Sequence, residues 1–421
     1  MDESGDWRNM STMPSWLSKV IHEDPIIRKV SLASLVDRFG NGLLMSVLVI
    51  YFSFIEGLGP GKTALALSIG AAAGLIMTIP AGHVVDRIGQ RTVVVVSMAA
   101  NGIAIMGLIF VHSFIWLTIC IAADSVANVF SRNGQLTLIA RVGDQKNAAR
   151  NRAYTRSINN LGIGLGSLGA GIALSINSAS GYQVAIFLDA CTFLLGAVIY
   201  TRVPHFPPTL QEREKFDWSI FKDGRYIAAT MMSAVTNIHF IVQNIGIPIW
   251  IVKYTDAPRW WVSAVLILNT TSVVLFQMRV SKRSKPLNES ANQYLASGAL
   301  IAVACLLYAS AEGPSAQIAS LLLLIGMALH VVGELFISMV HWQISFDLAD
   351  ASRQGAYYGV WTFGNGITEI IGPTLVTFAL VSMGKSGWAL LALMFFINVS
   401  LYRFIVLRPK RELRDSHQVT S

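Results

Sequence analysis

The chain has 421 residues, is 53% hydrophobic and only 13% charged, and carries a net charge of +8, whereas soluble domains run at about 25% charged residues. A mean hydropathy of +0.54, built from repeated long apolar runs, excludes a large soluble core and describes a polytopic membrane protein. The basic balance then belongs to loops and tails rather than to a nucleic-acid surface. Cys120, Cys191 and Cys305 stand singly within apolar runs, which excludes a disulfide framework and a zinc site.

In chain order, residues 1–29 form a polar tail with Pro14 and Pro25. They lack a basic segment followed by a short apolar stretch and a small-residue cleavage site, so no removable leader is expected. Apolar spans are predicted at about Val30–Phe54, Leu65–Ala81, Thr92–His112 and Phe114–Ala140. After a basic segment, Arg141–Arg156, come Ser157–Ile176 and Gln183–Tyr200. Residues 202–225, with Pro204, Pro207, Pro208 and several charges, read as a central loop between two halves, 30–201 and 226–406. The second half carries spans at Tyr226–Val252, Trp260–Val280, Gln293–Ala309, Ala316–Val340, Tyr357–Val381 and Gly387–Ile405, before a tail at 407–421. Each is near the ~20 residues needed to cross the hydrocarbon. The fold class is therefore all-α, with about twelve transmembrane helices.

Charge placement sets an orientation. With both termini in the cytoplasm, only Lys62, Lys253, Arg259 and Lys385 of the 32 Lys and Arg lie outside, and Arg132 falls within a span. This asymmetry satisfies the positive-inside rule. Trp250, Tyr254, Trp260 and Trp261 are then expected as an aromatic cluster at the outer interface.

Between the second and third spans lies Gly82-His83-Val84-Val85-Asp86-Arg87-Ile88-Gly89-Gln90-Arg91. Two helices joined so closely must be antiparallel, with these charges at a membrane face. The pattern G-x-x-x-D-R-x-G-x-R between two spans closely resembles the loop signature of the major facilitator superfamily, motif A. The resemblance implies two six-helix bundles alternating access around a central site. It assigns Gly82, Asp86, Arg87, Gly89 and Arg91 to a latch between the halves, with Asp86 set against the N-terminus of the eleventh helix. His83 and Gln90 depart from the commoner small and basic residues. Gly162, Gly166 and Gly171 stand where exporters of this superfamily carry G-x-x-x-G-P-x-x-G-G, although Ser167 replaces the proline and Ala170 one glycine. The alternative is close packing of the two halves through small residues.

Two phosphate-loop patterns are decoys. Gly57–Thr63 has Glu56 at the required first glycine and no strand before it, and Gly164–Gly169 lies inside a span.

Ionisable groups within spans are costly and mark function or pairing. The fourth span carries Asp124, Asn128, Arg132 and Gln135 at steps of four, four and three, one helical face. The tenth carries His330, Glu334, Ser338 and His341 at the same steps, a constant offset near half the chain length. This repetition supports a duplicated six-helix unit. In the fold that the chain resembles, helices one, four, seven and ten line the cavity. The two stripes would then face one another, joined by Asp37, Arg38, Asn41 and Met45 from the first helix and Asn237, Phe240 and Asn244 from the seventh. Asp37 and Arg132 are candidates for an ion pair. Proton coupling needs a carboxylate whose proton affinity changes with burial; Glu334, one turn from His330, is the first candidate, then Asp124, with Asp37 and Glu369 behind. Asp189 is expected away from the cavity.

The function expected is a proton-coupled exporter of small hydrophobic or amphipathic compounds, such as drugs, in the cytoplasmic membrane. The partners are a small-molecule substrate, protons and the lipid bilayer, with no nucleic acid, cofactor or metal; a monomer is expected. The alternatives are a symporter or facilitator for a polar metabolite and a membrane sensor or scaffold. No nucleophile–base or metal-ligand spacing stands out, so an enzyme is not expected.

Overall fold

The computed structural model describes residues 24–141, 145–205, 218–281, 287–349 and 354–406. These residues form twelve long helices and a short 3-10 helix, Trp218–Lys222, and contain no strand. The first half comprises α1 (Pro25–Ile50, continued by a π-helical turn, Tyr51–Ile55), α2 (Pro60–Ile88), α3 (Gln90–Leu108), α4 (Phe114–Arg141), α5 (Gln145–Ile176) and α6 (Ala179–Tyr200). The second comprises α7 (Gly224–Ile241, a π-helical turn Val242–Gly246, then Ile247–Tyr254), α8 (Trp261–Ser281), α9 (Leu287–Ser310), α10 (Ala316–Asp347), α11 (Gln354–Met383) and α12 (Lys385–Val406). Eleven of them are long and apolar enough to cross a membrane; the apolar part of α8, Trp261–Val273, is shorter. Residues 1–23, 142–144, 206–217, 282–286, 350–353 and 407–421 lie outside the described residues, and most of the expected basic segment Arg141–Arg156 is instead the first turns of α5.

Local chemistry sets the helix ends. Asp24 caps α1, its carboxylate accepting from the N–H groups of Ile26 and Ile27 at 2.7 and 3.2 Å, with Pro25 in the first turn. Ser178 and Asp223 cap α6 and α7 in the same way. The expected start of the second span, Leu65, is too late: Gly59 (φ 85) and Pro60 begin the helix earlier. Gly82–Arg91 is likewise less of a loop than expected. Gly82 to Ile88 complete α2, Gln90 begins α3, and Gly89 alone, at φ 95, breaks the helix.

Helix packing repeats between the halves. In the first, α1 packs on α5 and α6, α4 on α2 and α3, and α3 on α6; in the second, α7 packs on α11 and α12, α10 on α8 and α9, and α9 on α12. Every pair has its counterpart six helices later. The two principal seams between the halves, α2 with α11 and α5 with α8, exchange under the same operation. This is the signature of two pseudo-symmetric bundles. The outer surface is apolar, with Phe110 75% and Ile103 69% exposed, as a hydrocarbon solvent allows.

The glycines of α5 divide between two partners. A Cβ on Gly162 would stand 2.8 Å from the Leu35 carbonyl oxygen, and one on Gly166 1.9 Å from that of Phe39, so both admit α1 of the same half. Gly164 and Gly171 instead face Thr270 and Ser263 of α8, across the seam. Packing of the two halves through Gly162 and Gly166 is therefore corrected: small residues two positions apart on a helix point to different neighbours. Gly166→Ala is expected to destabilise the fold by about 1–3 kcal/mol, because backbone must move. Gly164→Ala, whose Cβ would meet Thr270 at 3.4 Å, should leave the thermal midpoint of the detergent-purified protein nearly unchanged.

Candidate functional site

A cavity of about 290 Å³ lies between the halves. Asn41, Leu44, Met45, Leu48 and Val49 of α1 line one wall, with Leu67 and Ala71 of α2, Ile105 and Leu108 of α3, and Ile121, Asp124 and Ser125 of α4. The second half supplies Ile241, Asn244 and Ile245 of α7 and Glu369 and Pro373 of α11. Asn244 and Ile245 project from the π-helical turn of α7, a backbone irregularity that is frequent at functional sites. Pro373 has no N–H, so the carbonyl of Glu369, four residues earlier, loses its helical donor. Glu369 thus brings a carboxylate and a freed carbonyl to the same region.

Asp124 is half-buried, and Asn128 donates to its Oδ1 at 3.0 Å and to its backbone carbonyl at 3.2 Å. Glu369 is exposed to the cavity and makes no hydrogen bond among the described residues. Arg132, exposed on α4, is the cation whose field reaches Glu369. The expected Asp37–Arg132 pair is replaced: the Asp37 carboxylate lies 3.4 Å from Nε of Arg38, beside it in sequence. Two turns of α4 separate Arg132 from Asp124, which carries it past the level of the cavity.

The two polar stripes do not meet across this space. Of the eight residues, Asp124 alone lines the cavity. His330 is fully buried inside the second half, its Nε2 3.1 Å from Nδ1 of His239 and its Nδ1 3.5 Å from the Tyr308 hydroxyl. Glu334 is buried against α8, where Asn269 donates to its Oε2. His341 lies 3.1 Å from both Ser233 Oγ and the Tyr294 hydroxyl; that hydroxyl also bonds Thr236 Oγ1, to which Asn398 donates at 2.7 Å. The α10 stripe therefore faces α7, α8 and α9, the interior of its own bundle. Asn237 donates to Asn365 of α11 at 2.7 Å, and Phe240 is part-exposed beside His239; neither borders the cavity.

Elsewhere in the first half, Asp189 is fully buried with neither carboxylate oxygen hydrogen-bonded among the described residues. It stands beneath Gly40, whose missing side chain makes room for it. At the α2–α3 junction, Gly82 is buried, Arg87 is exposed and Asp86 is half-buried. The Arg91 guanidinium donates to the Thr201 carbonyl at the end of α6, so this arginine ties helices of one half. Residues 350–353, ahead of α11, lie outside the described residues. Trp250 is corrected too: it is fully buried, its indole N–H donating to the Tyr308 carbonyl at 2.7 Å, while Trp260 and Trp261 stack on one another nearby in sequence.

The cavity residues missed from the sequence are mainly aliphatic: Leu44, Leu48, Ile121, Ile241 and Ile245. Only the step of four from Glu369 to Pro373 was a visible signal. The halves also touch through individual side-chain contacts. They include Ser68 Oγ to Thr374 Oγ1 at 2.9 Å and the Arg259 guanidinium donating to Asn177 Oδ1.

Comparison with known proteins follows this geometry. A family model described as Major Facilitator Superfamily matches residues 30–373. The chain is similar to the crystal structure of the nucleoside transporter NupG, with a TM-score of 0.75 and 14% identity over 92% of this chain and 100% of that one. A POT family transporter in complex with 5-aminolevulinic acid matches with a TM-score of 0.71 and 14% identity, over 91% and 96%. A bacterial homologue of the human drug peptide transporters PepT1 and PepT2 gives 0.70 and 13%, over 90% and 97%. At these identities the likeness is one of fold. No curated protein sequence matches the chain.

Cysteine scanning checks the placement of the candidates. In a background lacking Cys120, Cys191 and Cys305, cysteines at Met45 and Asn244 should react with a small water-soluble thiol reagent. Cysteines at His330 and Glu334 should remain unlabelled until the protein is denatured.

Proposed function

This chain belongs to the Major Facilitator Superfamily and is a membrane transporter of that kind, and from that premise we propose that it exports small amphipathic compounds in exchange for protons. The observation that carries the reading is the cavity between the halves, aliphatic over most of its wall and furnished with Asp124 from one half and Glu369 from the other. Aliphatic walls suit an amphipathic molecule. A sugar-like metabolite would call for many more hydrogen-bonding groups, and Asn41, Ser125 and Asn244 are the neutral polar side chains in the lining.

Alternating access supplies the transport cycle. The halves touch along α2–α11 and α5–α8, and rocking about these seams exposes the cavity to one side and then the other. We place both termini in the cytoplasm, from the distribution of Lys and Arg. The Arg259–Asn177 contact then lies at the outer face, and the α2–α3 latch at the inner one. In the proposed cycle, Asp124 and Glu369 take up protons from outside and release them inside, because the movement that changes their exposure changes the stability of their charges. Glu334 is the comparison residue, an acid held by Asn269 within one bundle. The degenerate fifth-helix signature at Gly162, Gly166 and Gly171 supports export over import.

The test is transport in cells and in vesicles. Cells producing the protein should extrude a fluorescent amphipathic dye, and a protonophore should abolish the extrusion; protein-dependent accumulation instead would overturn export. Asp124→Asn or Glu369→Gln should remove the response to an imposed pH gradient, while Glu334→Gln keeps it. If only Glu334→Gln uncouples transport, the proton passes through the bundle interior rather than the cavity.

A further inference from the structure

We infer that the substrate accepted by this cavity is a lipophilic cation, held by Asp124 and Glu369 acting from opposite halves. The inference rests on the transport reading above and names the chemical class that reading leaves open.

The lining is one-sided in charge. Among the described residues it holds two carboxylates and no Lys, Arg or His. Arg132 acts on Glu369 from outside the lining, and Asp37 is paired with Arg38, so once the two acids have released their protons, two carboxylates against one cation leave the site net negative. In that deprotonated state a neutral partner would leave the carboxylates uncompensated in a low-dielectric enclosure, and an anion would add to the repulsion. A zwitterion would need a fixed cation in the wall to receive its negative end, and the lining has none among the described residues.

Hydrogen-bonding capacity points the same way. The Glu369 carboxylate has no donor among the described residues, and Asp124 has one, the Asn128 amide. The Glu369 carbonyl, freed by Pro373, adds another acceptor. The Asn244 side-chain oxygen is buried with no partner among the described residues. Acceptors thus outnumber donors around the space, which is the environment that a positive charge requires.

The remaining wall defines the rest of the molecule. Leu44, Met45, Leu48, Ile121, Ile241 and Ile245 are aliphatic, and no aromatic ring among the described residues lines the cavity. Recognition of the cation therefore falls to the carboxylates rather than to ring faces, and the substrate's bulk is apolar. Because the two acids belong to different halves, a bound cation bridges them, and movement of one half against the other changes both its contacts together.

Two ions of nearly equal size and opposite charge test this. Equilibrium binding of tetraphenylphosphonium and of tetraphenylborate would be measured on the purified full-length protein in neutral detergent. Saturable binding of the cation is expected, with the anion bound at least about tenfold more weakly. Asp124→Asn and Glu369→Gln should each weaken the cation by roughly tenfold or more while leaving the thermal midpoint in place. Equal binding of both ions, no binding of the cation, or wild-type cation affinity in both variants would overturn the inference. The wild-type comparison needs no variant to fold. Transport separates the two readings: a cation that binds but is never exported sinks the exporter, whereas proton-driven export of a neutral compound alone sinks the cation.

Discussion

Hydrocarbon offers no hydrogen bonds, and that single constraint arranges the rest of the molecule. Every backbone group must be satisfied within its own helix, so the described residues are helices joined by turns. Polar side chains are driven inward, where a neighbouring helix, a cavity or an ion must meet them. The apolar surface and the buried polar interior are two results of one solvent. The second bundle answers the constraint with hydrogen bonds, linking Ser233, His341, Tyr294, Thr236 and Asn398 across α7, α9, α10 and α12. In the first bundle Asp189 stands buried under α1 without a hydrogen bond to its carboxylate among the described residues.

The halves share packing but have diverged in chemistry. Each α1 contact has its α7 counterpart, yet the cavity acid of the first half is on α4 and that of the second is on α11, a helix that also forms a seam. In the proposed cycle, a carboxylate beside this seam is well placed to respond to the motion. One on α10, walled in by α7, α8 and α9, is not. This explains why the internal repeat was a sound guide to architecture and a poor guide to the site. Duplication conserves helix positions, whereas the direction of each side chain is set by rotation of the helix and by its neighbours.

Much was legible beforehand for identifiable reasons. Span lengths follow from bilayer thickness, and the motif Gly82–Arg91 combined a chain break with charges that only a membrane face tolerates. The pairing of Asp37 with Arg38 was less legible, because adjacent residues on a helix diverge in direction and only the particular side-chain conformations bring them together. Trp250 was misplaced for a similar reason: proximity in sequence to Trp260 suggested one aromatic belt, but the continuation of α7 beyond its π-helical turn aims it at Tyr308.

The sequence by itself determined the class of solvent, the number of the helices, the twofold repeat and the family signature. These depend on composition and on short-range spacing, which a linear chain displays directly. Tertiary structure decided which acids share a cavity, which are held within a bundle, and which glycines seat α1 rather than α8. Those outcomes depend on convergence of residues far apart in the chain. A turn of about 100° per residue is enough to send two equally polar neighbours into different surroundings.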